Sequence, residues 1–84
     1  SARQAYVRPF QGAIERLGRI IYGESFKVTV GEDLSVTHRT LDSRTLGFDQ
    51  LSAGAKEQLG ILTRAACAIL VAKDGQIPLI LDDT

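Results

Sequence analysis

Apolar positions at the start of the chain recur at helical spacing. In "RQAYVRPFQGAIERLGRIIYG" the residues Val7, Phe10, Ile14, Leu17 and Ile21 step by three, four, three and four. That seam predicts an amphipathic helix. It covers only about two heptads, so it suits a helix lying on a sheet as well as a coiled-coil return. Pro9 either opens this helix in its first turn or kinks a longer one, and Gly23 marks its end. The period then changes. In "SFKVTVGEDLSVTHRT", Phe26, Val28 and Val30 alternate with polar residues, "GED" supplies a turn, and Leu34 and Val36 alternate again. This predicts a β-hairpin over residues 24–40. "LDSRTLGFDQ" reads as a polar loop.

Helical spacing returns in "LSAGAKEQLGILTRAACAILVAKDGQ". Leu59, Leu62, Ala66 and Ile69 share a face, and Ala65, Cys67, Ala68 and Leu70 widen it, so the helix is expected to be largely buried. Gly60 costs about 1 kcal/mol relative to alanine in such a helix, and a closely approaching backbone is the expected offset. "KDGQ" turns the chain into "IPLIL", a short apolar run without alternation, as in a parallel strand covered on both faces. The order is helix, hairpin, loop, helix, strand: an α/β arrangement in one domain spanning 1–84. A central parallel strand needs neighbours that this chain scarcely supplies, so the unit is expected to be part of a larger sheet.

Composition narrows the function classes. Apolar residues make up 44% and charged residues 24% of the 84, which places the chain among globular domains rather than disordered ones. Ten basic residues balance ten acidic ones, so the net charge gives no support to nucleic acid or an acidic membrane as partner. The charge is uneven: Arg3, Arg8, Arg16 and Arg19 against Glu15 leave the first helix at +3. Solvated arginines on an open face account for this as well as a phosphate contact does. The single cysteine, Cys67, allows no intrachain disulfide and no cysteine-based zinc site, and its alanine-rich surroundings suggest a small buried filler. His38 has no second histidine to share a metal and reads as a surface residue. No apolar run approaches the ~20 residues of a membrane span and no signal peptide is visible, so a cytoplasmic location is expected.

Two stretches carry chemistry. "LSAG" opens the second long helix, with Ser52 placed as cap and Gly54 removing bulk beside exposed amides. A helix start presents unbonded N–H groups and about half a positive charge, which suits phosphate. An ordinary serine cap followed by a glycine accounts for the same residues. At the other end, "LILDD" places Asp82 and Asp83 after the apolar run. Asp82 could hold Mg²⁺ through water, and Asp83 could orient an attacking water in phosphoryl transfer; two solvated acids are the alternative.

In this order the two stretches resemble the C-terminal half of an ABC-type ATPase head, of the SMC, RecF and RecN-like coiled-coil class. "LSAGAKEQ" resembles the ABC signature and "PLILDD" the Walker B strand. The resemblance is specific over residues 46–84 and looser over 3–40. It divides the chain into a coiled-coil-return helix (1–23), a hairpin (24–40), and a signature helix with Walker B strand (51–84). It implies that two heads sandwich ATP, that Ser52, Ala53, Gly54 and Ala55 contact a γ-phosphate held by the partner head, that Asp82 attends Mg²⁺, and that Asp83 polarises the attacking water. It further implies a homodimer, a P-loop-containing half as partner, and a role in DNA repair or chromosome maintenance, with DNA binding resting on the family alone. The chain departs from the pattern. Ala53 stands where a second glycine is usual, Asp83 is a methylene shorter than the usual glutamate, and 30 residues separate Ser52 from Asp82. There is no G-x-x-x-x-G-K-[ST], so this chain alone is expected to be inactive. The rival expectation is a non-enzymatic module that dimerises through Leu59, Leu62 and the N-terminal seam.

Overall fold

The computed structural model describes residues 2–74 and is a small α/β domain of two helices and a three-stranded antiparallel sheet. Helix α1 (Ala2–Tyr22) leads to strands β1 (Lys27–Val30), β2 (Val36–Leu41) and β3 (Arg44–Gly47), a 3₁₀ turn (Phe48–Gln50) and helix α2 (Ala53–Asp74). The sheet order is β1-β2-β3. The expected strand over 77–81, with Asp82 and Asp83, lies outside the described residues.

Of the two readings of Pro9, the longer helix is the observed one, with Pro9 inside α1. Proline there removes one intrahelical bond. The helix continues because Phe10, Ala13 and Ile14, immediately beyond, are sealed in the core. Val7 and Leu17 pack at its margin, but Ile21 is 59% exposed. The seam stops a turn early because Tyr22, not Ile21, turns inward and stacks on Phe26, with ring centroids 5.2 Å apart. Gly23 then closes the helix with a φ of +99° and donates its N–H to the Arg19 carbonyl at 2.9 Å.

Phe26 is fully buried, and the space for its ring is a notch at Gly18. A β-carbon on Gly18 would lie 2.1 Å from Phe26 Cε2. Along the same side of α1, three polar residues spaced a turn apart serve β1. Gln11 Oε1 accepts from Val30 N at 3.4 Å, Glu15 Oε2 accepts from Val28 N at 3.1 Å, and Arg19 Nε donates to the Phe26 carbonyl at 3.3 Å. Arg19 also pairs with Glu15 at 3.5 Å. The helix therefore satisfies backbone groups of β1 that a neighbouring strand would otherwise take.

The hairpin forms as expected, with an irregularity: Thr29 pairs with His38 and Val30 with Val36, leaving Thr37 as a bulge. Its turn is closed by Gly31 N to the Ser35 carbonyl at 2.9 Å, and Asp33 Oδ1 accepts from both Ser35 N and Ser35 Oγ. Leu34 takes a φ of 64° there.

The stretch read as a polar loop is instead β3 and a 3₁₀ turn. Asp42 and Ser43 both adopt left-handed backbone, with φ of 54° and 67°, and make a two-residue turn between Leu41 and Arg44. Asp-Ser is a weak sequence signal for that turn. A tertiary contact holds it: Ser25 Oγ donates to Asp42 Oδ1 at 3.0 Å and accepts from Asp42 N at 3.1 Å. Thr40 and Thr45 then pair through their hydroxyls across the strands at 2.7 Å.

Helix α2 buries Leu59, Leu62 and Ala66 against α1 and packs Leu70 at the edge. It is not largely buried. Cys67 and Ala68 are exposed, Ile69 is 38% exposed and Ile61 57%, so Cys67 is no core filler. Nor does a backbone approach Gly60: a β-carbon there would meet only Arg64 Nη2, at 3.9 Å. Both corrections have one cause. Among the described residues α2 is covered on a single side, so its second apolar face has nothing to pack on. No helix among the described residues is long and apolar enough to cross a membrane.

Candidate functional site

The start of α2 is held from behind. Leu51 is buried and donates its N–H to the Phe48 carbonyl at 3.1 Å, and Gln50 Oε1 accepts from Gly47 N at 2.8 Å. This short turn anchors the chain so that the following residues emerge at the surface. Ser52, Ala53 and Gly54 are exposed and Ala55 is half-buried.

Ser52 is the helix cap. Its Oγ accepts from Ala55 N at 3.1 Å and its carbonyl accepts from Lys56 N at 3.0 Å. Helix geometry leaves the amides of Ala53 and Gly54 without intrahelical acceptors. The Ser52 hydroxyl, while accepting from Ala55, keeps its own O–H to donate. Nothing lies within 4 Å of the position a Gly54 β-carbon would take, so the approach is open. Lys56, one turn on, places its ammonium 5.6 Å from the centroid of the Phe48 ring. The residues expected at the signature are thus contiguous, with Ser52, Ala53 and Gly54 exposed and the Ala53 and Gly54 N–H groups open, whereas Ala55 is half-buried and its N–H, taken up by Ser52 Oγ, is not available to a phosphate. The Ala53 methyl sits on the same open surface.

Beside this start lies a groove of about 430 Å³ bounded by the hairpin turn, Phe48 and α2, with Leu34, Val36, Leu59 and Thr63 on its walls. Gly60 lines it too, which gives this glycine a place at a concave surface in lieu of a backbone neighbour. His38 is exposed, its Nδ1 3.0 Å from Thr37 Oγ1, and no cluster of three metal-ligating side chains occurs among the described residues. Gly18, the ladder of Gln11, Glu15 and Arg19, and the Ser25–Asp42 clasp were not legible as positioning elements. The first leaves only a glycine in a helical pattern; the four-residue spacing of the ladder was the one available signal.

No family model matches the chain, and no solved structure matches it. It is 51% identical over 83 residues to Uncharacterized protein Rv1278 of Mycobacterium tuberculosis and, to the same extent, to Uncharacterized protein Mb1309 of Mycobacterium bovis. The match takes in 99% of this chain and 10% of each relative, so the chain spans about a tenth of the length of the curated relatives it matches.

Proposed function

We propose that the chain is the C-terminal portion of an SMC-like ABC ATPase head, whose α2 start grips the γ-phosphate of ATP bound to a partner head. The observation that supports this is the exposed Ser52-capped helix start, where the Ala53 and Gly54 amides and the Ser52 O–H are open donors on adjacent residues. ATP and Mg²⁺ would supply the transferable phosphoryl group and its charge neutralisation. The chain's own residues bind and orient: the amides face the phosphate oxygens, Asp82 attends the cation and Asp83 orients water. The P-loop-containing half is the required partner, in a dimeric assembly, and DNA repair or chromosome maintenance is the process the resemblance suggests.

The test pairs this chain with the P-loop half of its head and measures phosphate release from Mg–ATP. Turnover that rises with head dimerisation and falls at least about tenfold in Ser52→Arg supports the reading; tenfold corresponds to about 1.4 kcal/mol of transition-state stabilisation. Absent turnover, or turnover indifferent to Ser52→Arg, counts against it.

One observation favours a second reading, a non-enzymatic dimerising module, although not through the surface first expected. Leu59, Leu62, Phe10 and Ile14 are buried in the domain's own core, and it is Ile61 and Ile69 on α2, and Ile20 and Ile21 on α1, that stand exposed. Sedimentation with and without Mg–ATP separates the two: a stable dimer indifferent to nucleotide belongs to the module.

A further inference from the structure

The inner face of the sheet is only partly covered by helix. Val28 of β1 is buried under α1, and its register partner on β2 is Arg39. Paired residues in an antiparallel sheet project to the same face. Arg39 is therefore an arginine on the core side of the sheet, and its register partner on β3 is Leu46. Leu41, on the same face two residues along, pairs with Arg44. These four side chains and Asp42 line a cavity of about 320 Å³.

The chemistry of this cavity is incomplete. Arg39 Nε is buried and has no hydrogen-bond partner. The Arg19–Glu15 ion pair lies on α1, and among the described residues no carboxylate pairs with either Arg39 or Arg44. Asp42 is at the rim, but its Oδ1 already accepts from Ser25. A shielded guanidinium N–H without an acceptor forfeits its hydration with no return, which is why such a group usually has one. The flanking Leu41 and Leu46, both packed against the core, make the walls apolar.

We infer that this face binds an acidic segment of a partner polypeptide, one carboxylate entering between Arg39 and Arg44 and flanking apolar side chains resting on Leu41 and Leu46. A fork of guanidinium donors matches a carboxylate in its plane. Nucleic acid fits less well: the cavity has two cations, an aspartate at its rim and leucine walls, where a phosphate backbone favours several cations and no carboxylate. The inference stands on the sheet alone and does not depend on the phosphate reading of α2.

The experiment is an amide-resolved NMR titration of the whole chain with acetyl-Leu-Glu-Val-Glu-Leu-amide, and with the same peptide carrying glutamine for glutamate. The expected result is saturable shifts at residues 39, 41, 44 and 46 for the acidic peptide. Binding should weaken about tenfold for the glutamine peptide and for Arg44→Gln, whose exposed side chain can be exchanged without disturbing the fold. Arg39→Lys, which keeps the charge but loses the fork, should weaken it as well. No shift, or equal shifts with both peptides, overturns the inference. So do tighter shifts at these residues with a duplex oligonucleotide or inorganic phosphate. Tighter peptide binding in the Asp82→Asn, Asp83→Asn double variant also overturns it, because the chain's own acids would then be the occupant.

Discussion

Gly18→Ala should destabilise the protein although helix propensity alone says the reverse. Alanine in place of a helical glycine gains about 1 kcal/mol. At Gly18 the added β-carbon would sit 2.1, 2.3 and 2.8 Å from three carbons of the Phe26 ring, where ordinary contact is about 3.5–4.0 Å. The ring must retreat by more than an ångström. It has little room: it is fully buried and stacked on Tyr22, whose hydroxyl donates to Gln58 Oε1 of α2. Overpacking of this kind costs about 1–3 kcal/mol, and complete loss of a buried phenylalanine about 3–5. Set against the helical gain of about 1 kcal/mol, repacking around the ring leaves a net loss of up to about 2 kcal/mol, and expulsion of the ring a loss of about 2–4 kcal/mol. Gly12→Ala is the control in the same helix. Its β-carbon would meet only Arg16 Nη1, at 3.8 Å, so a gain of about 0.5–1 kcal/mol is expected. Urea unfolding followed by circular dichroism and by tyrosine fluorescence measures both, and the two tyrosines report without tryptophan background. In a domain of this size 1 kcal/mol moves Tm by about 4–8 °C, so the two variants should shift Tm in opposite directions. Equal stabilisation by both would refute the notch.

Two further outcomes are expected. Ser43→Gly should stabilise the protein by about 0.5–1 kcal/mol, since it relieves a left-handed serine and creates the favoured Asp-Gly turn; thermal unfolding checks this, and a loss would mean the Ser43 side chain holds the turn. Cys67 should react with a thiol reagent in the native protein at close to the rate of the urea-unfolded chain, whereas protection that disappears on dilution would show a second copy lying over α2.

The elements that announce themselves by period were legible. The core residues Phe10, Ile14, Val28, Val30, Leu59 and Leu62 follow from spacing alone, and Ser52 and Gly23 from their capping chemistry. Strand β3 was not legible, because its turn depends on Ser25, seventeen residues upstream, and local composition carries no trace of that clasp. The exposure of Cys67, Ala68 and Ile69 was missed for a related reason. An apolar helix looks the same in sequence whether both faces are covered or one. At the site, the exposed cap was readable from "LSAG", whereas the orphaned guanidinium on β2 was not: in "VTHRTL" the alternation does not say which face is the inner one, and only the register with Val28 decides it.

The rungs that α1 extends to β1 have a topological consequence. With Val28 N, Val30 N and the Phe26 carbonyl already engaged by Glu15, Gln11 and Arg19, that border of the sheet is closed to recruitment. Any additional strand, whether from elsewhere in a longer polypeptide or from another molecule, must enlist alongside β3 or build a sheet of its own.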